Sequence, residues 1–247
     1  AGLAEPHTGC LSTQEEEPMT GTSTTTRVRV PLTRERALRA AVALADTQGI
    51  EAVTMRGLAR DLGVEAMSLY HHVANKDDIL DGMVDLVFSE VQLPVPGTDW
   101  RPAMRERALS VRAAMTRHPW ALALMESRTS PGAATLAHHN AVLGCLRQGG
   151  FSVEMAAHAF SLMDAYIYGF ALQEVALPFD ETTSTDEMQE LVGPMLDAFP
   201  SGAYPHLEEL TAQHVLKVGY SYGKEFRFGL DLILDGLEVA QAGQSGR

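Results

Sequence analysis

GLARDLGVEAMSLYHHVANKDDIL, residues 57–80, contains the spacing that decides the fold. The small residue Ala59 is followed four positions later by Gly63 and, six positions after that, by Leu69. Two helices that cross steeply on a short turn need a small residue at their contact, a turn residue that tolerates positive φ, and an apolar anchor. Each residue alone would fit an ordinary helical hairpin, but together they predict a helix-turn-helix.

Capping signals define the helices of this segment. Thr33 is a good N-cap for a first helix that stops at Gly49, and Thr54 caps a short second helix that Gly63 ends. A third helix is expected from Glu65 to His72. The segment therefore forms a three-helix head.

The third helix presents a polar and aromatic face once Leu69 and Val73 turn inward. Serine and histidine can bond base edges or phosphates, and methionine can contact a thymine methyl group. The alternative is that the Tyr70 and His72 side chains pack against the first helix. The candidate DNA contacts of this helix are Ala66, Met67, Ser68, Tyr70, His71 and His72.

Lys76 places a positive charge at the positive end of the dipole of the helix that it begins. Asn75 is the predicted N-cap of a fourth helix, and Asp77 and Asp78 suit the positive end of its dipole, whereas a lysine there does not. An exposed helix N-terminus with a lysine can bind a DNA phosphate. A solvated lysine is the alternative.

Charge is distributed unevenly along the chain. The net charge is −13, yet residues 27–76 contain eight basic and five acidic residues, a local charge of +3. Such asymmetry favours a small DNA-facing head on an acidic body. Arg27 and Arg29, at the start of the basic segment, are further candidate DNA contacts.

Composition predicts an all-α protein, because leucine, alanine, methionine and glutamate dominate and no strand alternation competes. Residues 1–26 cannot build a core and are expected to be a disordered tail. No targeting or membrane segment is recognised. The only cysteines, Cys10 and Cys145, form no metal or disulfide pattern, which favours the cytoplasm and no cofactor; a thiol sensor at Cys145 stays open.

The stretch VTMRGLARDLGVEAMSLYHHVANKDDIL, residues 53–80, closely resembles the DNA-binding head of the tetracycline-repressor (TetR) family. Heads of that family typically end in a Leu-Tyr-x-His-(Phe/Val)-x-x-Lys run. The matching residues here are Leu69, Tyr70, His72, Val73 and Lys76. The resemblance implies that Arg56 contacts the DNA backbone or bases and that Tyr70 and Lys76 bind phosphates.

The rest of the chain agrees with this resemblance. Residues 27–76 would be the helix-turn-helix domain and residues 77–247 a larger helical domain for ligand binding and dimerisation. Its expected helices are Trp100–Arg117, Pro119–Ser127, Gly132–Gln148, Val153–Leu177, Thr185–Phe199, His206–Val218 and Gly223–Ala240.

The last helix has an apolar stripe that is wider than a single buried seam needs, so we expect it to dimerise. The resemblance implies a four-helix bundle in which Val153–Leu177 is the other partner, with two heads about 34 Å apart on a palindromic operator. An intramolecular core would use the same residues, and the sequence does not separate the two. The stripe is Phe226, Leu230, Ile233, Leu234 and Leu237.

Segments between the head and the dimer helices are rich in methionine and sparse in charge, as in adaptable ligand pockets. Core packing is the alternative for each residue. No metal site is expected, because adjacent histidines on a helix point about 100° apart. The candidate ligand contacts are Trp100, Met104, Met115, Met125, His138, His139, Val142, Met163 and Tyr166, with Asn140 and His158 as further polar candidates.

These observations predict a ligand-responsive regulator, a repressor that a small, largely apolar molecule releases from double-stranded DNA. The alternative is a helical, dimeric protein-interaction module without sequence-specific DNA binding. An enzyme is not expected, because no nucleophile, acid and base arrangement is recognisable from the spacing.

Overall fold

Helices form every regular element in the part of the chain that the structure, a computed structural model, describes. The described residues are 1–2, 31–128, 130–180, 182–198, 200 and 202–244. The all-α prediction is therefore confirmed. The predicted tail, apart from its first two residues, lies outside the described residues, as do Arg27 and Arg29.

Eleven α-helices follow one another in the described ranges, with a short 3-10 turn at Ile50–Ala52 and a π turn at Thr211–Val215. The helices are α1 Arg34–Gln48, α2 Met55–Leu62, α3 Ala66–Leu69, α4 Lys76–Ser89, α5 Trp100–Arg117, α6 Trp120–Ser127, α7 Ala133–Gln148, α8 Val153–Val175, α9 Thr185–Asp197, α10 Pro205–Leu210 and α11 Tyr222–Gln244.

Side-chain caps fix where the first helices begin. The Thr33 hydroxyl accepts a hydrogen bond from the Arg36 N–H at 3.1 Å, and the Thr54 hydroxyl accepts one from the Gly57 N–H at 3.0 Å. Gly63 ends α2 with a left-handed φ of 66°. These predicted helix boundaries are confirmed, because a cap is decided by neighbours a few residues away.

The predicted third helix is too long. Regular helix ends at Leu69, and the chain continues as a hydrogen-bonded turn in which the His72 N–H donates to the Leu69 carbonyl at 2.8 Å. The chain must become extended at Asn75 (φ −164°), whose side chain caps α4 by accepting from the Asp78 N–H. A longer α3 would leave too little chain to reach that cap.

Helix α4 packs against α1 on one side and against α7 on another. Gly82 permits the close approach of α1, because a Cβ at this position would lie 2.7 Å from the methyl carbons of Leu38. One hydrophobic core runs from α1 through α4 to α5, α8 and α11. The predicted boundary after Lys76 falls at the first residue of α4, so it stays a prediction.

The apolar stripe of α11 is buried inside the protomer. Phe226, Leu230 and Leu234 are fully buried, Leu237 is nearly so, and Ile233 packs against the same core. The four buried residues are therefore covered within the protomer, where α11 packs against α8 and α5, whereas the partly exposed Ile233 stays a predicted dimer contact. The intramolecular core that the sequence left open accounts for Phe226, Leu230, Leu234 and Leu237.

No helix in the described ranges is long and apolar enough to cross a lipid bilayer.

Two glycines should respond oppositely to alanine. Gly63→Ala should lower the free energy of unfolding by about 1 kcal/mol, because a Cβ is strained at the positive φ of this residue. Gly144→Ala should raise it by about 0.5 kcal/mol, because this position lies inside α7 with nothing within 4 Å of an added Cβ. Urea unfolding of both variants measures the two effects. Equal changes in the same direction would contradict the assigned backbone conformations.

Candidate functional site

The surface of α3 and the turn that follows it is exposed where the sequence predicted contacts. Met67 is 72% and Tyr70 48% exposed, and His71 is exposed as well. Ala66, Ser68 and His72 are half-buried, whereas Leu69 and Val73 are buried as expected. The exposure of Tyr70 disfavours the alternative in which its ring packs against α1. Arg56 lies exposed at the start of α2.

Lys76 is exposed at the first residue of α4, and the two carboxylates that follow it are directed to other partners. Asp78 accepts from Arg34 Nη2 at 2.6 Å and from the Ala74 N–H at 2.9 Å. These bonds, that from Ala74 foremost, hold the pKa of Asp78 below its usual value. Asp77 accepts from Arg128 Nη1 at 3.1 Å. Lys76 is therefore left exposed six residues after Tyr70, at a helix start that the Asn75 side chain caps.

A cavity of about 360 Å³ lies between α4, α6, α7 and α8; we call it the α4–α8 cavity. Its walls combine aromatic and apolar side chains with a few polar groups, as is usual for small-molecule sites. The apolar wall contains Val84, Phe88, Met125, Phe160 and Tyr168. The polar groups are Asp81, Arg128, Thr135, His139 and Asp164.

Of the predicted ligand contacts, only Met125 and His139 line this cavity. Met104, Met115, Val142 and Met163 do not line it, because they are fully buried in the hydrophobic core, and their role as ligand contacts stays a prediction.

Two aromatic candidates also pack elsewhere. The Trp100 ring meets Phe151 edge-on at 4.8 Å. Tyr166 stacks on Phe226 and donates its hydroxyl to the Phe226 carbonyl at 3.0 Å. Among the polar candidates, Asn140 is exposed, and His158 is exposed beside Glu154. These four residues are therefore not cavity contacts.

His138 does not line the cavity, but it is linked to the cavity wall through Arg107. Arg107 Nε donates to His138 Nε2 at 3.2 Å, and Arg107 also forms an ion pair with Asp164, which does line the cavity. Burial, followed by the positive charge of Arg107, lowers the pKa of His138 to about 3. The imidazole is therefore neutral and can accept the hydrogen bond.

Burial lowers the pKa of His139 too, although Asp164 opposes that shift. The His139 ring stands edge-on to Phe160 at 5.2 Å and to Phe88 at 6.2 Å. A neutral His139 fits this aromatic wall and offers one donor and one acceptor.

A larger and more open depression of about 790 Å³ lies between the C-terminal half of α5 and the segment after α8. The ion pair of Arg112 and Glu174 lies at its wall, and no residue of α4 contributes to it. A ligand there would not touch the helix that begins with Lys76. The smaller α4–α8 cavity is therefore the better candidate.

Two other predictions concern reactive groups. Cys145 is buried, and burial raises the pKa of its thiol, so the reactive thiolate that a sensor needs is disfavoured. The described residues contain no group of three or more His, Cys, Asp or Glu side chains placed to hold a metal ion.

The neutral state of His138 has a consequence for stability. The unfolded chain takes up a proton on this histidine below about pH 6.5, whereas the folded protein does so only near pH 3. The free energy of unfolding should therefore decrease as the pH is lowered across this window, by up to about 1.4 kcal/mol per pH unit from this group. His138→Gln, whose amide oxygen can still accept from Arg107, should remove this part of the pH dependence. Urea unfolding from pH 7 to 4 measures it, and parallel curves would contradict the assignment.

Two successive segments of the chain match known sequence profiles. Residues 37–83 match the profile described as "Bacterial regulatory proteins, tetR family", and residues 93–241 match "Tetracyclin repressor-like, C-terminal domain". A curated relative, the HTH-type transcriptional repressor DrrR1 of Streptomyces coeruleorubidus, is 34% identical, with 87% of this chain and 80% of that protein covered.

Solved structures of other proteins superpose on this fold. Apo ActR from Streptomyces coelicolor superposes with a TM-score of 0.68 at 28% identity, over 87% of this chain and 99% of that one. ActR in complex with actinorhodin gives a TM-score of 0.65 at 27% identity, over 86% and 99%.

The exposed α3 surface beside Lys76 and the cavity behind α4 thus occur in a chain whose two segments both match one family. The interaction module without DNA binding is not favoured, and the resemblance of residues 53–80 is confirmed. The chain belongs to the TetR family of bacterial transcriptional regulators.

Proposed function

We propose that this protein is a repressor that binds a two-fold-symmetric operator as a homodimer and leaves it when a small molecule fills the α4–α8 cavity. One observation carries the proposal: the helix that begins with the exposed Lys76 also supplies Asp81, Val84 and Phe88 to the cavity wall. A ligand in the cavity therefore contacts the helix that positions the head.

The cavity supports an aromatic, largely apolar effector with a few oxygen or nitrogen atoms. Phe88, Phe160 and Tyr168 offer ring faces and edges, and Arg128 and His139 offer donors. A relative of this fold, ActR, has been crystallised with actinorhodin, and a TetR of Acinetobacter baumannii AYE with minocycline. Both compounds are reasonable first probes for this chain.

DNA binding rests on the exposed α3 surface, with Arg56, Tyr70 and Lys76 as the residues that hold phosphates or bases. Met67 and His71, both exposed, are the best placed to reach base edges. Filling of the cavity shifts α4, changes the separation of the two heads and lowers their joint affinity for the operator. The protein would act in the cytoplasm as a regulator and not as an enzyme.

Dimerisation would use the outer faces of α8 and α11, in place of the buried stripe. Leu162 and Leu172 are exposed on one face of α8, and Phe228, Leu232 and Val239 are exposed on one face of α11. Large apolar side chains at helical spacing on two neighbouring helices favour a second copy as their cover. Two-fold symmetry then pairs the heads with the two halves of a palindrome.

Selection of bound duplexes from a random DNA pool tests the operator. Lys76→Ala should weaken binding about tenfold and lower the slope of log affinity against log salt by about 1 per subunit, because one phosphate contact is lost. Lys217→Ala, at an exposed lysine between α10 and α11, is the matched control and should change neither value. Recovery of no symmetric site, or equal behaviour of the two variants, would refute the proposal.

The outer face of α11 has its own test. Leu232→Glu should convert the dimer to monomers in light scattering, because it places a charge in the apolar face, and operator affinity should fall with it. Leu136→Glu, at a similarly exposed leucine on α7, should leave the dimer intact. A dimeric Leu232→Glu variant would place the interface elsewhere.

A further inference from the structure

Three aspartates on one face of α4 bind Arg128 at the end of α6 and Thr135 in the first turn of α7. Asp81 Oδ1 accepts from Arg128 Nε at 2.5 Å, and Asp77 Oδ1 accepts from Arg128 Nη1 at 3.1 Å. One turn further along, Asp85 Oδ1 accepts from the Thr135 N–H at 2.8 Å and from its hydroxyl at 3.0 Å. Residues 77, 81 and 85 are spaced by four, so they form one row along the helix. We call this row the aspartate ladder.

Arg128 lines the cavity together with Asp81 and Thr135. Its side chain is 19% exposed, it stands at the C-terminal end of α6, and it lines the α4–α8 cavity. The hydrogen bond to Asp81 raises the pKa of the guanidinium, so the side chain stays charged. A charge-assisted bond at this degree of burial is stronger than an exposed ion pair.

The first turn of α4 is held from two sides. Asp77 faces Arg128 in the body, whereas its neighbour Asp78 faces the head, where Arg34 and the Ala74 N–H bind it. Lys76 immediately precedes both aspartates. The turn that begins with Lys76 is therefore bonded both to an arginine in the head and to an arginine at the cavity.

The far end of α4 is fastened by groups that do not line the cavity. Glu90, which follows the last residue of the helix, accepts from Arg117 Nη2 at 2.6 Å and lies 3.3 Å from His118 Nε2. His118 and Trp120 also bond Asp46 at the end of α1, at 2.8 and 2.7 Å. A ligand that takes Arg128 from its aspartates therefore leaves the bonds at Glu90 in place, although Phe88 in the last turn also lines the cavity.

We propose that Arg128 is the positioning residue that couples the cavity to the DNA-binding surface. A ligand with an acidic or carbonyl oxygen takes the guanidinium away from Asp81 and Asp77. The first turn of α4, with Lys76, is then held only from the head side and moves about the end fixed at Glu90. This inference deepens the proposed function and rests on it.

The test compares two arginines that fasten opposite ends of the same helix, in the full-length protein without any effector. Arg128→Gln should weaken operator binding about tenfold, a coupling of the size common between two sites. Arg117→Gln, which removes only the contact to Glu90, should change it less than twofold. Arg128→Lys should restore part of the loss, because the positive charge remains near Asp81.

A second arm examines whether the effect passes through the ladder. Asp81→Asn combined with Arg128→Gln should weaken binding no further than Arg128→Gln alone, because both changes remove the same contact. If Arg128→Gln folds poorly, Asp77→Asn replaces it, since this side chain is 74% exposed and its loss leaves the core intact. Hydrogen exchange should show faster exchange in the first turn of α4 in either variant, and not at its last turn.

Equal operator affinity in Arg128→Gln and Arg117→Gln, or unchanged exchange in the first turn of α4, would overturn the inference. Failure of the proposed function looks different, because the unmodified protein itself would then bind no DNA. In that case the exchange measurement still decides whether Arg128 controls the first turn of α4.

Discussion

Helix α4 packs against the head through α1 and against the body through α7, and it also lines the cavity. Its contacts must therefore suit both parts of the protein at once. Its buried face, with Ile79, Met83 and Val87, belongs to a core that continues from α1 into the body. Protein interiors are packed too densely to deform smoothly, so a change at one side of such a helix is transmitted to the other. The close contact of Gly82 with Leu38 leaves α1 little freedom to move independently.

The polar wall of the cavity solves a different problem, which is the burial of a full positive charge. Arg107 is almost completely buried, and an isolated charge there would cost several kcal/mol. Asp164 neutralises it, and His138 accepts from it because the imidazole stays neutral. Phe160 adds its ring at 5.9 Å from the guanidinium carbon. Arg107 therefore fixes the Asp164 carboxylate at the cavity wall.

The sequence predicted those features that depend on near neighbours. Thr33, Thr54, Gly63 and Asn75 define helix ends through contacts within a few residues. Most body helices begin and end close to the expected positions, but the helix expected over His206–Val218 ends at Leu210 and continues as the π turn Thr211–Val215. The end of α3 was missed, because it is set by the distance that the chain must cover to reach the cap of α4.

Contacts between distant residues were not predictable in the same way. The period of 3.6 residues shows which side chains of α11 are apolar, but not whether α8 or a second subunit covers them. The same limit applies to Met104 and Met163, because a flexible, apolar methionine side chain suits a ligand pocket and a core equally. Arg107 and Asp164 are 57 positions apart, and nothing in their local pattern distinguishes them from exposed charges on amphipathic helices.

Different residues of the cavity wall have different roles, and this affects how the ligand specificity of such a protein can change. Phe88, Met125 and Phe160 shape the space that a ligand fills, whereas Arg128 and the aspartate ladder connect that space to the head. Since Met125 and Phe160 lie outside α4, substitutions at these two positions can alter which compound fits without dismantling the connection. Both natural divergence and laboratory redesign of a biosensor can therefore proceed through the apolar wall alone.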